Sequence, residues 1–253
     1  MFIPLHDDAP LRVIRFQLVN GVLIAINVLV LLYSHLMLGG DPGEAHFQLA
    51  TGIIPAVLYH RAALPPGVDL IPEQLTLVTY MFVHADWFHL LSNMLFLWVF
   101  GDNVEDAYGH AGYLVFYLFC GVSAGFIHTL MFPHSEMPLI GASGAVSGVL
   151  AAYLVLFPRA RVWILVLMRL PLRVPAALAL IAWIVVQVIS LFALTDDETV
   201  SVAWWAHIGG FATGLVLTFL LRSRLRERLD CELKVASGVP NAGQGVDSAR
   251  VRH

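Results

Sequence analysis

Ser143 lies in the run Gly141-Ala142-Ser143-Gly144, where an apolar segment begins that ends at Pro158-Arg159. A serine hydroxyl becomes a nucleophile when an imidazole stands within hydrogen-bond reach to take its proton. The candidate imidazole is His207, in the segment SVAWWAHIGGFATGLVLTFLL. From Ser143 to Phe157 a helix would rise about 22 Å at 1.5 Å per residue. That is about 8 Å short of a ~30 Å hydrocarbon layer, so such a helix starts below the membrane surface. His207 is six residues past Ser201, about 9 Å along its own helix, so the two side chains share one depth. Gly144 with Gly148, and Gly210 with Gly214, are small-residue pairs four apart that let two membrane helices approach closely. Gly210 follows His207 by three residues and shares its helix face. The implied chemistry is acyl transfer, with Ser143 as nucleophile and His207 as general base.

His89 and Asn93 are spaced i, i+4 and so lie on one helix face near the same level. Each could donate a hydrogen bond to a developing oxyanion. The backbone N–H of Ser143, at a helix start, is a third donor, and the helix dipole favours negative charge there. No carboxylate is placed to complete a triad: Asp102 is about 14 Å deeper than Asn93, and Asp86 falls on a loop. The spacing favours a Ser–His dyad. The plain alternative is that Ser143 packs or glues helices in a glycine-rich segment. No HExxH run occurs, so no metal and no cofactor is expected. His84 reads as a loop-packing residue or a support for the site. His35, His46, His60, His110, His128 and His134 read as interfacial or loop residues. The serine is not the elbow of soluble hydrolases, which needs a preceding strand.

These groups need an apolar frame. Of 253 residues, 58% are hydrophobic and 13% charged, against about 25% charged in ordinary soluble domains. Six segments have the composition of membrane helices: 17–38, 87–106, 111–131, 143–157, 175–194 and 201–221. The expected fold is therefore an all-α membrane protein of six transmembrane helices. Thirteen of the fourteen Lys and Arg residues fall on one face of that topology, with Arg61 the exception. The positive-inside rule then puts both termini in the cytoplasm and the site toward the outside. The first outer connection, 39–86, is long and apolar at its end, and is expected to lie partly in the membrane. The third carries Asp196, Asp197 and Glu198. The start, MFIPLHDDAPLRVIRF, reads as a cytosolic segment rather than a cleaved signal. The expected organisation is a cytosolic segment over 1–16, a membrane domain over 17–222, and a tail over 223–253 that is basic and then disordered. Cys120 and Cys231 fall in different environments, so no disulfide is implied.

Together these motifs resemble the rhomboid family of intramembrane serine proteases. Gly141-Ala142-Ser143-Gly144 is similar to its GxSG, His89-Leu90-Leu91-Ser92-Asn93 to its HxxxN, and Ala206-His207-Ile208-Gly209-Gly210 to its sixth-helix motif. The resemblance covers about 10–225. It implies a six-helix bundle around a water-filled cavity, in a multi-pass plasma membrane protein such as one of the bacterial inner membrane. Its partners would be transmembrane protein substrates and the lipid bilayer, with no nucleic acid. The serine would attack a substrate carbonyl, His207 would take the proton, and Ser143 N–H, His89 and Asn93 would hold the oxyanion. Ser147 stands where well-studied members often carry a tyrosine stacked on the histidine. The Ser147 hydroxyl or the Trp204–Trp205 pair would then have to orient the imidazole. A Trp-Arg pair in the first loop is absent, His60-Arg61 being the nearest equivalent. Two other readings stand beside the protease: a catalytically silent rhomboid-like protein that binds membrane clients, and a small transporter.

Overall fold

The computed structural model describes residues 2–38, 40–166, 169–193 and 204–236. The connection with Asp196, Asp197 and Glu198, the expected helix start at Ser201, and 237–253 of the tail lie outside the described residues. Each of the six apolar segments is a helix: α1 (Leu18–Met37), α5 (Trp87–Tyr108), α6 (His110–Met131), α7 (Ser143–Leu156), α8 (Ala176–Ala193) and α9 (Trp204–Ala236). Helix α9 therefore continues well past the apolar segment, through 223–236. Among the described residues, three helices are long and apolar enough to cross a membrane, spanning Leu18–Met37, His110–Met131 and Trp204–Asp230. Helices α7 and α8 are apolar but shorter, and α5 carries Asp102, Glu105 and Asp106 in its last turns.

Helix α7 is the centre of the bundle. It packs against α5, α6, α8 and most extensively α9, and its residues from Gly144 to Tyr153 are all buried. A helix apolar on every side is stable only when surrounded. Here Gly144, Ala145, Ser147, Gly148, Ala151 and Ala152 let neighbours come close on several faces. Pro158 follows its end and cannot continue the helix.

The connection between α1 and α5 holds three short helices, α2 (Asp41–Thr51), α3 (Pro55–Leu58) and α4 (Thr76–Thr79). Ile53, Tyr80, Met81 and Val83 on this connection are buried. Ile53 pairs with Leu139 through reciprocal backbone hydrogen bonds of 3.0 and 2.8 Å, and the Tyr80 hydroxyl donates to Gly121 O at 2.7 Å. The loop is thus stitched to α6 and to the segment that leads into α7.

The structure departs from the all-α expectation at one end. Strands β1 (Phe2–Asp7), β2 (Arg161–Val166) and β3 (Leu170–Pro175) form an antiparallel sheet in that order. Its pairing shifts between Pro4 and His6, near the proline, which has no N–H to give to a ladder. Val162 and Ile164 alternate inward with outward Arg161 and Trp163, the period-two pattern of a half-buried strand. Arg173 Nη2 donates to Asp8 Oδ2 at 2.7 Å, tying β3 to the segment after β1.

The acids at the end of α5 organise the start of α1 and the segment that leads into it. Glu105 accepts from Val19 N at 2.9 Å and Asn20 N at 2.8 Å. Asp106 accepts from the N–H groups of Arg12, Val13 and Ile14 at 2.7–2.8 Å. The first N–H groups of a helix have no partner within it, and α1 has no side-chain cap of its own.

Candidate active site

Ser143 is the first residue of α7 and half-buried. The chain reaches it through Gly141, whose φ of 116° is a conformation that favours glycine. Gly141 N donates to Tyr80 O at 2.9 Å, so the connection after α4 fixes the approach to the serine. A Cβ on Gly141 would fall 2.7 Å from the His89 ring and 3.8 Å from Asn93 Nδ2, so only a glycine brings the backbone this near α5.

His207, one turn into α9, has its Nε2 2.8 Å from Ser143 Oγ. The glycine pairs explain the distance. A Cβ on Gly210 would strike the Gly144 carbonyl, and one on Gly214 the Gly148 carbonyl. On their other side, Gly144 and Gly148 leave room for Ala124 and Cys120 of α6, which would be 2.6 Å from an added Cβ. Both pairs therefore act together: α7 lends its backbone to α9 and its missing side chains to α6.

Asn93 is buried, and its Nδ2 is 3.1 Å from His84 Nε2. The same His84 nitrogen accepts from Ala142 N at 3.4 Å. An imidazole nitrogen that accepts twice is the unprotonated one, so His84 ties α5 to the residue before Ser143. The His84 and His89 rings meet edge to face at 5.0 Å. His89 N donates to Asp86 Oδ1 at 2.8 Å, which makes Asp86 the cap of α5 rather than a partner of His207. Asp102, toward the far end of α5, bonds locally to Asn103 N.

Of the two expected supports of His207, Trp204 is at the ring and Ser147 is not. Ser147 turns back along its own helix and donates to Ser143 O at 2.6 Å, so its hydroxyl is not spent on the imidazole. Trp204 meets the His207 ring edge-on at 5.9 Å, and Trp183 of α8 flanks it at 6.0 Å. The polar partner is Gln187 of α8, which sequence reasoning missed: its Oε1 is 2.7 Å from His207 Nδ1. A signal existed. Gln187 is the sole amide in the α8 segment, polar groups inside membranes tend to have specific partners, and it lies four residues beyond Trp183 on one face.

Ser143, His207, His89 and Asn93 thus meet where α5, α7 and α9 converge. The match to known proteins falls on the same elements: the Rhomboid domain model matches residues 72–224, more than half of the chain. The chain belongs to the rhomboid family. It is 34% identical over 198 residues to Rhomboid-like protein 11, chloroplastic, of Arabidopsis thaliana, covering 76% of this chain and 65% of that protein. It is 26% identical over 173 residues to Rhomboid protein 1, mitochondrial, of Saccharomyces cerevisiae, covering 66% of this chain and 48% of that protein. A shorter match, 41% identical over 78 residues, is to Rhomboid protease GluP of Bacillus subtilis, covering 31% of this chain and 15% of that protein. This rhomboid therefore spans less than two thirds of the length of each of these relatives. Its matched region runs from the connection before α4 into α9 and includes all four site residues as well as Gln187.

Proposed function

We propose that this rhomboid is an intramembrane serine endopeptidase that hydrolyses a peptide bond in or near transmembrane helices of other membrane proteins. The observation that carries the proposal is the 2.8 Å approach of His207 Nε2 to Ser143 Oγ. Ser143 Oγ attacks a substrate carbonyl while His207 accepts its proton. The tetrahedral oxyanion is met by the Ser143 N–H, His89 and Asn93, near the positive end of α7. His207 then returns the proton to the leaving amine, and water attacks the acyl-enzyme with His207 again as base. No acidic third member is needed for this sequence.

The same proposal includes six membrane spans, with the termini in the cytoplasm and the site nearer the outside. It is supported by contacts between the three basic regions at one end of the bundle. Arg173 bonds Asp8, Arg12 Nη1 is 3.9 Å from Asp230, and Arg226 donates to Val155 O. Packed connections such as that of Tyr80 make membrane depth tolerable for the long first loop, because its backbone groups find protein partners.

The test is cleavage of a purified transmembrane reporter in detergent micelles. Ser143→Ala is expected to abolish cleavage and labelling by a fluorophosphonate, and His207→Ala to remove both. A Ser143→Ala protein that still cleaves the reporter overturns the proposal. Wild type that binds clients yet never cleaves or labels supports a silent rhomboid-like protein instead.

A further inference from the structure

We infer that Gln187 on α8 is the positioning residue of His207, holding the ring in the one tautomer that can activate Ser143. This inference rests on the protease reading above. An amide oxygen can only accept a hydrogen bond. With Gln187 Oε1 2.7 Å from Nδ1, the neutral imidazole carries its proton on Nδ1. The lone pair of Nε2 then faces the Ser143 hydroxyl at 2.8 Å. In the other tautomer Nε2 would present a hydrogen to the serine, and no proton could be taken from it.

Among the described residues, the tautomer has no other visible guardian. The rings beside His207 belong to Trp183 and Trp204. They limit the tilt of the imidazole but offer no acceptor to Nδ1, since an indole has only a donor. Ser147 is engaged with its own helix. His89 of α5 and His128 of α6 are the titratable neighbours that act on His207 electrostatically, and neither is hydrogen-bonded to it. Gln187 itself is 7% exposed, so water does not compete freely for its oxygen. A neutral amide holds the tautomer without burying a second charge beside the imidazole, which would be costly in a low-dielectric site.

The position of Gln187 has a consequence for the helix that carries it. Helix α8 is largely exposed along Leu178, Ile181, Val185, Val186, Ile189 and Phe192. It makes far fewer contacts with α7 and α9 than those two make with each other. The amide is its polar link to the site, so the seating of α8 and the readiness of His207 are coupled through one hydrogen bond.

The test compares wild type, Gln187→Leu and Gln187→Glu in the reporter assay, alongside thermal unfolding. Gln187→Leu keeps the bulk and removes the acceptor; kcat is expected to fall by about tenfold or more with KM little changed, since one hydrogen bond made to the base is lost. Gln187→Glu restores an acceptor, at the cost of a buried charge, and is expected to recover part of the kcat lost in Gln187→Leu. Equal kcat in wild type and Gln187→Leu, or equal impairment of both variants, overturns the inference. Selective 15N-histidine NMR of wild type in micelles tests it without any variant: His207 is expected to be protonated on Nδ1 when neutral, and protonation on Nε2 overturns it. Cleavage that survives Ser143→Ala would instead overturn the protease reading, so the two failures are distinguishable.

Discussion

Replacing Gly210 with alanine attacks the contact that sets the distance between Ser143 and His207. The new Cβ would meet the backbone carbonyl of Gly144, and no side-chain rotation can relieve that clash. To restore an ordinary contact, α9 must withdraw from α7 by on the order of 1 Å. Ser143 Oγ and His207 Nε2 now stand 2.8 Å apart, and a withdrawal of that size takes them past the ~3.2 Å limit of a good hydrogen bond. Misplacement of a reacting group by about 1 Å costs about 10²-fold in rate. The overpacking itself costs about 1–3 kcal/mol of stability, or several degrees of melting temperature at this size. The assay is kcat/KM for a transmembrane reporter, with melting followed by intrinsic fluorescence on the same preparation. Gly21→Ala is the control, because nothing lies within 4 Å of its added Cβ. A Gly210→Ala protein with wild-type kcat/KM would refute the argument that the glycine contacts set the geometry of the site. So would a loss that Gly21→Ala reproduces.

Three further outcomes concern the end of the bundle that carries the sheet. Asp106→Ala removes the acceptor for three backbone N–H groups before α1; at about 1 kcal/mol or more for each bond lost to a charged group, it is expected to destabilise by about 3 kcal/mol. A melting temperature within a degree of wild type would argue against that role. Asp7 is buried and accepts from the Tyr153 hydroxyl; desolvation raises its carboxyl above the ordinary range against that hydrogen bond. A raised folded pKa contributes stability that is present below the unfolded value of about 3.9 and lost as pH rises through the folded value. Asp7→Asn keeps an acceptor and cannot ionise, so it is expected to melt above wild type at pH 7, with the advantage shrinking toward pH 3.5. Asp8 has the opposite sign: the Arg161 N–H and the Arg173 guanidinium lower its carboxyl. Asp8→Asn should therefore lose stability at pH 7, by only a few tenths of a kcal/mol because the pair is exposed, with the difference shrinking as pH falls below the ordinary carboxylate range. Melting curves across this pH range check both, and differences independent of pH would count against the assignment.

The helices were legible because each is announced locally. Apolar length and a run of small residues mark α7 and α9, and Pro158 stops α7 before any neighbour is known. The sheet was harder to see. Arg161–Val166 alternates in period two, but its arginines equally suit a basic connection, and β1 lies far from it in sequence. A strand of six residues gains stability only when a partner is found, and no local pattern names that partner. The same limit governed the acids of α5. Glu105 accepts from the first N–H groups of α1 and Asp106 from N–H groups of the segment before it, partners that only the packed fold supplies.

At the site, the sequence by itself determined which groups are available and which of them stand near a helix start, because small-residue runs and helix stops are local signals. Only the tertiary structure decided what holds the histidine. Ser147, one helical turn after Ser143, bonded its own backbone, a choice always open to serine inside a helix. Gln187, twenty residues away on another helix, met Nδ1 instead. The physical reason is that a hydrogen bond between helices depends on their separation and rotation to within a few tenths of an ångström. Those quantities are set where Gly210 meets the Gly144 carbonyl, in a contact between two backbones that exists only once the helices have packed.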